Sequence, residues 1–394
     1  MAGSMARWFA SGTLSVMTLV PAARPFSASV LRKRLVSAAA EAERRGLDAL
    51  LITPSPDFAY LLGYRPPALE RLTCLVVPAS AVPRLVVPRL EAPLARHQLD
   101  ELASDVEVIA WDETDDPFKV VQSLLRTDAS RVGVQDQMWA RFALRFGAVL
   151  DPIELVAAGP TMGALRSVKT PDEVTRLRAA AAADDRAMLA ITAERLSGRT
   201  EAEVSRRVLE LLIEAGHDTA DFAIVASGPN AASPHHEPGS RVIEPGDAIV
   251  LDIGGTLDGY WSDTTRTAFV GEPPADFVAM YEVLREAQEA ACDAVQPGVA
   301  AHDVDRAARA IIEDAGYGEQ FIHRTGHGIG LELHEEPYVV AGNRAPLQPG
   351  HAFSVEPGLY LEARWGARIE DILICTPDGG ERLNTTDRRL YLVD

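Results

Sequence analysis

The stretch Asp247-Ala248-Ile249-Val250-Leu251-Asp252-Ile253-Gly254-Gly255, followed by Gly259-Tyr260-Trp261-Ser262-Asp263-Thr264-Thr265-Arg266-Thr267, reads as two strands joined by a turn. Asp252 stands inside an apolar run that looks buried. A charge there is costly unless it is paired or bound to a cation. Asp263 follows eleven residues later. On a hairpin that spacing can set two carboxylates opposite each other. Side by side they repel, and a cation between them is the simplest remedy. Taken singly, each also reads as a turn or salt-bridge aspartate.

Three more potential ligands lie downstream, each in its own short motif. His327 has a glycine on either side in His323-Arg324-Thr325-Gly326-His327-Gly328-Ile329-Gly330, which suggests close backbone approach. Glu356 lies in Phe353-Ser354-Val355-Glu356-Pro357-Gly358-Leu359-Tyr360, and Glu370 in Arg368-Ile369-Glu370-Asp371-Ile372-Leu373-Ile374. Four carboxylates and one imidazole are too oxygen-rich for a structural zinc site, which prefers thiolates. The set suits two divalent cations that share carboxylates and activate water. Alone, the histidine reads as a satisfied polar residue and each glutamate as a paired surface charge. A rival reading pairs the carboxylates with Arg266, Arg324 and Arg368. That leaves excess negative charge, so the arginines read better as outer supports.

Away from these motifs, the chain divides in two. Its 394 residues exceed one typical core. A helix over about 29–45 stops at Gly46, and short apolar strands then alternate with helical stretches. This predicts an α/β domain over 26–160 with no P-loop and no GxGxxG. Thr170, Pro171 and Glu173 make a capping box that opens a long helix, and Thr200 with Glu203 opens another, ending at Gly216. Single strands are expected over 259–269, 352–361 and 367–374, with helices over 276–295 and 302–315. Residues 165–394 thus form an α+β domain with a mostly antiparallel sheet. No fixed-period internal repeat is evident.

Hydrophobic residues make up 47% and charged residues 24%, as in ordinary globular proteins. The net charge of −19 makes nucleic acid an unlikely partner and disfavours an anionic membrane. Cys74, Cys292 and Cys375 form no CxxC pair, so a disulfide framework is not expected and a reduced, cytoplasmic setting fits. Residues 1–25 read as a disordered arm or expression remnant, with Met17 as an alternative start. The apolar part is too short to span a bilayer.

Taken together, the motifs resemble the M24 "pita-bread" metallopeptidases, in the branch of Xaa-Pro dipeptidases (prolidases) and Xaa-Pro aminopeptidases. The blocks that carry the likeness, in order, are Ser227-Gly228-Pro229-Asn230 through Pro234-His235-His236, the Asp252 strand, Ser262 to Thr267, Thr325 through His334-Glu335, and Val355 to Gly358 with Arg368 to Asp371. The likeness covers 165–394 well. Residues 26–160 are similar to the creatinase-like N-domain only loosely, through Tyr60-Leu61-Leu62-Gly63-Tyr64.

The resemblance implies a dinuclear peptidase that hydrolyses the bond before proline in Xaa-Pro dipeptides, with a hydroxide shared by two cations as nucleophile. Asp263 and Glu370 would bridge both ions, Asp252 would chelate one, and His327 with Glu356 the other. Mn2+ fits best, while Co2+, Zn2+ and Fe2+ are compatible. Glu356 would move the proton, and His235 and His334 would contact the scissile carbonyl. His323 would line the proline pocket, and Arg368 would support the site from behind or meet substrate. His236 stands where the family commonly shows Tyr. Arg344 is a candidate receiver for a free carboxylate. The alternatives are an aminopeptidase on longer peptides and a non-catalytic binding protein of the same fold. Family members commonly dimerise, so a homodimer is expected.

Overall fold

The computed structural model of the protein describes residues 26–394. The expected arm over 1–25 lies outside the described residues. The amino-terminal part is a six-stranded mixed sheet in the order Glu107–Trp111, Arg84–Pro88, Cys74–Pro78, Ala49–Ile52, Arg131–Val134, Glu154–Ala157. Its central strand is buried throughout, as a run of Ala49-Leu50-Leu51-Ile52 requires. Leu50 and Ile52 face the helix Ala28–Arg44 through Leu31, Leu35 and Ala38. Ala49 and Leu51 face the helices Pro117–Leu124 and Ala140–Leu150 through Val121, Phe142 and Phe146. The helix Pro56–Leu62 follows directly on Pro54-Ser55. Ser55 caps it by accepting from Phe58 N–H, and Pro56 occupies its first position.

The carboxy-terminal part has two sheets and a hairpin. One sheet orders Tyr391–Val393, Thr264–Val270, Ala248–Leu257 and Thr219–Ser227, with Tyr260–Trp261 paired to the third of these. The other orders Glu335–Val339, Gly326–Gly328, Ala352–Val355, Asp371–Thr376 and Gly379–Arg382, all antiparallel. Gly358–Leu361 pairs with Trp365–Arg368 as the hairpin. Helices Pro171–Ala193 and Glu201–Glu214 back the first sheet, and Ala275–Asp293 and Ala301–Asp314 back the second. Both expected capping boxes form.

Two helices of the carboxy-terminal part share a local plan. Helices Glu201–Glu214 and Ala301–Asp314 stand one hundred residues apart, and each ends at a left-handed glycine, Gly216 (φ 109°) and Gly316 (φ 86°). Their entries match too, through the bridges Thr200 to Val242 and Ala300 to Pro346. Only scattered identities such as Val204/Val304 and Ala215/Ala315 mark this in sequence. Helix packing fixes apolar character rather than residue identity, so the likeness of the two helices lies in backbone more than in letters.

The two parts share one apolar cluster, which runs from Leu35 and Ile52 to Leu177, Ile329 and Ile372. Ions reinforce it. Arg34 lies between the rings of Phe26 and Tyr60, 4.0 and 4.1 Å from their centroids, and pairs with Glu173 at 3.0 Å. Arg166 bonds Asp57 at 2.7 Å, Glu332 at 2.6 Å and also Glu335, which Lys169 meets at 2.5 Å. Among the described residues no helix is long and apolar enough to cross a membrane.

Candidate metal centre

Three of the expected continuous strands are broken, and each break carries a candidate ligand. The first stops at Trp261 and resumes at Thr264, leaving Ser262 and Asp263 between. The second stops at Val355 and resumes at Gly358, leaving Glu356 and Pro357. The third stops at Arg368 and resumes at Asp371, leaving Ile369 and Glu370. Pro357 has no N–H for a ladder. Glu370 N–H bonds Thr265 O in the other sheet at 3.1 Å. The breaks turn these carboxylates inward to where the two sheets meet.

Asp252 stays within its strand, directly opposite Thr265. Asp263, two residues before Thr265, therefore shares a face with Asp252 but sits diagonally rather than opposite. Asp263, His327 and Glu370 each place a ligand atom within 4.8 Å of the others, and all three are buried. His327 Nε2 lies 3.1 Å from Glu356 Oε1 and 3.5 Å from Asp263 Oδ2. Its Nδ1 donates to Gly328 O at 3.1 Å, so the ring in its neutral form carries the lone pair on Nε2. Ser354 joins the two sides: its hydroxyl accepts from His327 N–H at 3.0 Å and donates to Glu356 at 2.9 Å.

The three arginines of the rival reading are placed differently. Arg266, fully buried, pairs with Asp371 at 2.6 Å and donates to Glu370 O at 2.6 Å, so it anchors backbone and neutralises no candidate ligand. Arg324 stacks on Tyr338, 4.6 Å from the ring centroid. Arg368 alone meets the set, reaching Asp252 Oδ2 at 2.5 Å. Even so, Asp252 Oδ1 and Glu370 Oε1 are buried with no hydrogen-bond partner. Orphaned carboxylate oxygens at one spot are the donors a divalent cation takes.

Charge crowding shows in the pKa values of these side chains. Burial, then the Asp252 and Glu356 charges, push Asp263 up to about 7 against the pull of His327. Burial and the Asp263 charge raise Glu370 well above the carboxylate range. Burial works against a charged His327, but Asp263 and Glu356 outweigh it and raise the imidazole to about 10. A bound divalent cation would offset this crowding and displace these protons.

These groups line a cleft of about 860 Å3 that also contains His235, His323, His334 and Arg368. His235 and His334 are exposed to it. The His334 ring stands edge-on to His327, 4.1 Å between centroids. Both nitrogens of His323 are engaged: Nδ1 donates to Arg324 O at 2.7 Å and Nε2 accepts from Tyr360 O–H at 3.0 Å. His323 therefore offers its ring rather than a hydrogen bond. Burial lowers its pKa, consistent with that neutral form. Arg368 is 3% exposed and is spent on Asp252, Thr265, Tyr360 and Pro234 O. Arg344 is exposed and outside the cleft lining, whereas Arg324 is within it. His236 turns away and meets Glu201 at 2.8 Å. A larger cleft of about 1000 Å3 lies between the two parts and shares His334, but its buried Arg166 and Glu335 pair with each other, and Lys169 also holds Glu335.

Comparison with known proteins agrees with this geometry. Residues 175–377 match the model for metallopeptidase family M24, and residues 34–168 match the creatinase/prolidase N-terminal domain. The chain is 45% identical over 372 residues to the probable dipeptidase PepE of Mycobacterium tuberculosis, covering 94% of this chain and 98% of that one. It is 34% identical over 355 residues to an Xaa-Pro dipeptidase of Lactobacillus helveticus, covering 88% and 95%. The crystal structure of dipeptidase PepE from Mycobacterium ulcerans superposes with a TM-score of 0.89 at 47% identity, over 94% of this chain and 100% of that one. Family matches across both parts, with buried acidic and histidine side chains converging in one cleft, make this chain a member of metallopeptidase family M24, whose enzymes use divalent metals.

Proposed function

We propose that this enzyme is a dinuclear metallopeptidase that hydrolyses the peptide bond before proline in Xaa-Pro dipeptides. The observation that carries the reading is the convergence of Asp263, His327 and Glu370 within 4.8 Å, beside orphaned oxygens on Asp252 and Glu370. Asp252, Asp263, His327, Glu356 and Glu370 would hold two ions, with Mn2+ the best match to oxygen-rich donors. When bound, such ions supply a water of lowered pKa and polarise a carbonyl.

The chain's own groups do the rest. Glu356, fixed by Ser354, is the proton carrier, since its carboxylate lines the same cleft as His235 and His334. His235 and His334 present their rings to the cleft, where each can donate to the carbonyl oxygen as it gains charge. The ring of His323 forms an apolar wall suited to proline. Arg368 holds Asp252 instead of meeting substrate.

The dipeptide preference draws on the relatives named as dipeptidases. The test is a matched pair, an Xaa-Pro dipeptide and an Xaa-Pro-Yaa tripeptide, with Mn2+ and after chelation. Chelator-sensitive cleavage of the dipeptide alone supports the proposal. Cleavage of the tripeptide moves the enzyme to the aminopeptidase branch, and cleavage of neither by the metal-loaded protein overturns both. A homodimer belongs to the same reading and is checked by light scattering.

A further inference from the structure

His235 reaches the cleft from residues 227–239, which follow the strand Thr219–Ser227. They form a short 3-10 turn, Gly228–Ala232, and then a tight turn closed by His236 N–H to Ser233 O at 3.2 Å, with Pro234 at its second position. A segment of turns gains little rigidity from its own backbone. This one is gathered onto a single carboxylate. Glu201, the first residue of the helix Glu201–Glu214, is 0% exposed. Its Oε1 accepts from Ser227 N–H at 2.8 Å, from Ser227 O–H at 2.7 Å and from Asn230 Nδ2 at 3.0 Å. Its Oε2 accepts from His236 Nε2 at 2.8 Å and from Gly239 N–H at 3.3 Å. Burial alone would raise this group, but the hydrogen bonds from Ser227 and His236 outweigh burial and keep the pKa below the usual carboxylate range. Glu201 thus stays an anion and accepts from the segment along its whole length. The helix start adds two ties: Ala202 N–H to Gly239 O and Glu201 N–H to Arg241 O, both at 3.0 Å.

The two histidines of the turn point apart. His236 goes back to Glu201, while His235 lines the cleft. On the far side the turn is tied to the candidate metal ligands, because Arg368, which holds Asp252, also donates to Pro234 O at 3.3 Å. The turn is therefore clamped between a buried anion behind it and the guanidinium of the site in front. We propose that Glu201, acting through His236, is a positioning residue that aims His235 at the scissile carbonyl. This rests on the role given to His235 above. Misplacing a catalytic group by about 1 Å costs on the order of 100-fold in rate, so the orienting bond has a kinetic signature of its own.

The test uses the full-length, Mn2+-loaded enzyme and an Xaa-Pro dipeptide. The variants are His235→Ala, His236→Phe, His236→Gln, Glu201→Gln and the double variant of His235→Ala with His236→Phe. Removing the donor in His236→Phe should lower kcat roughly 10- to 100-fold with metal content unchanged. His236→Gln keeps an N–H donor and should return to within about threefold of wild type. In Glu201→Gln an amide N–H2 faces the segment's donors, so this variant should resemble His236→Phe. The double variant should be no slower than His235→Ala, because residues acting as a unit are not additive. Additive losses, a His236→Phe enzyme at wild-type kcat beside a slow His235→Ala enzyme, or failure of His236→Gln to recover would overturn the positioning role. If Glu201→Gln does not fold, the His236 variants still decide. A His235→Ala enzyme with wild-type turnover would instead overturn the role of His235 itself.

Discussion

Arg368 Nη2 donates to Asp252 Oδ2 at 2.5 Å, with both side chains buried. The pair satisfies one oxygen of Asp252 and leaves Oδ1 orphaned. A structural ion pair would use both. This half-satisfied geometry suits the metal-ligand role proposed for Asp252, with Arg368 holding it from behind. Thr265 extends the support, since its hydroxyl accepts from Arg368 Nε at 3.1 Å and donates to Glu370 Oε2 at 2.7 Å.

Replacing Arg368 with Met should therefore weaken the site without deleting a ligand. The expected loss is about 10- to 100-fold in metal affinity or turnover, the usual cost of an orienting partner. Metal titration and kcat at saturating metal check this. Unchanged affinity and rate would contradict the supporting role.

Asp263→Asn should remove a carboxylate from the centre of the cluster. Hydrolysis should fall by at least about a thousandfold, roughly 4 kcal/mol of barrier. Metal binding should weaken, while the far-ultraviolet circular dichroism stays that of wild type. Full activity in this variant would sink the shared-ligand assignment.

Metal affinity should depend on pH with a definite sign. In the metal-free fold Asp263 is raised to about 7, against about 3.9 for an unfolded aspartate. The folded chain then binds more protons than the unfolded chain between those values. For this group, stability of the metal-free protein is full below about pH 4 and falls as pH rises towards 7. Binding a cation displaces this proton and also the one on His327, which is raised to about 10, so affinity should climb through pH 7 and go on rising above it. Calorimetric titration in buffers of different ionisation enthalpy reads the released proton. A flat affinity between pH 5.5 and 7 would contradict the crowded-carboxylate account.

Stability should respond most sharply at the join between the two parts. Lys169→Met strips one cation from Glu335, which is buried, and Arg166→Met strips the other. Breaking a buried pair costs about 3–5 kcal/mol because a charge remains behind. Urea unfolding of either variant should show that loss, and a change below about 1 kcal/mol would place the pairing energy elsewhere.

Local rules made the capping boxes at Thr170 and Thr200 legible, because each is written within four residues. The candidate ligands were legible as motifs, but their placement was not. A β-rich run such as 352–361 looks continuous, and only the facing sheet explains why it opens at Glu356 and Pro357. Arg166 and Glu335 are 169 positions apart, so no periodicity links them. Glu201 was passed over for a similar reason. As the first residue of a capped helix it reads as a dipole-friendly surface charge, and its burial depends on a loop folded over it. Arg344 failed as a carboxylate receiver because a basic residue near the motifs in sequence need not face the cleft.

The most direct test of the central claim is the metal content of the purified protein after loading with Mn2+, measured by mass spectrometry together with the activity that returns as ions are added back to the chelated enzyme. The account predicts two ions per chain and activity that rises with occupancy. No bound metal, or full dipeptide hydrolysis by the metal-free chain, would contradict it.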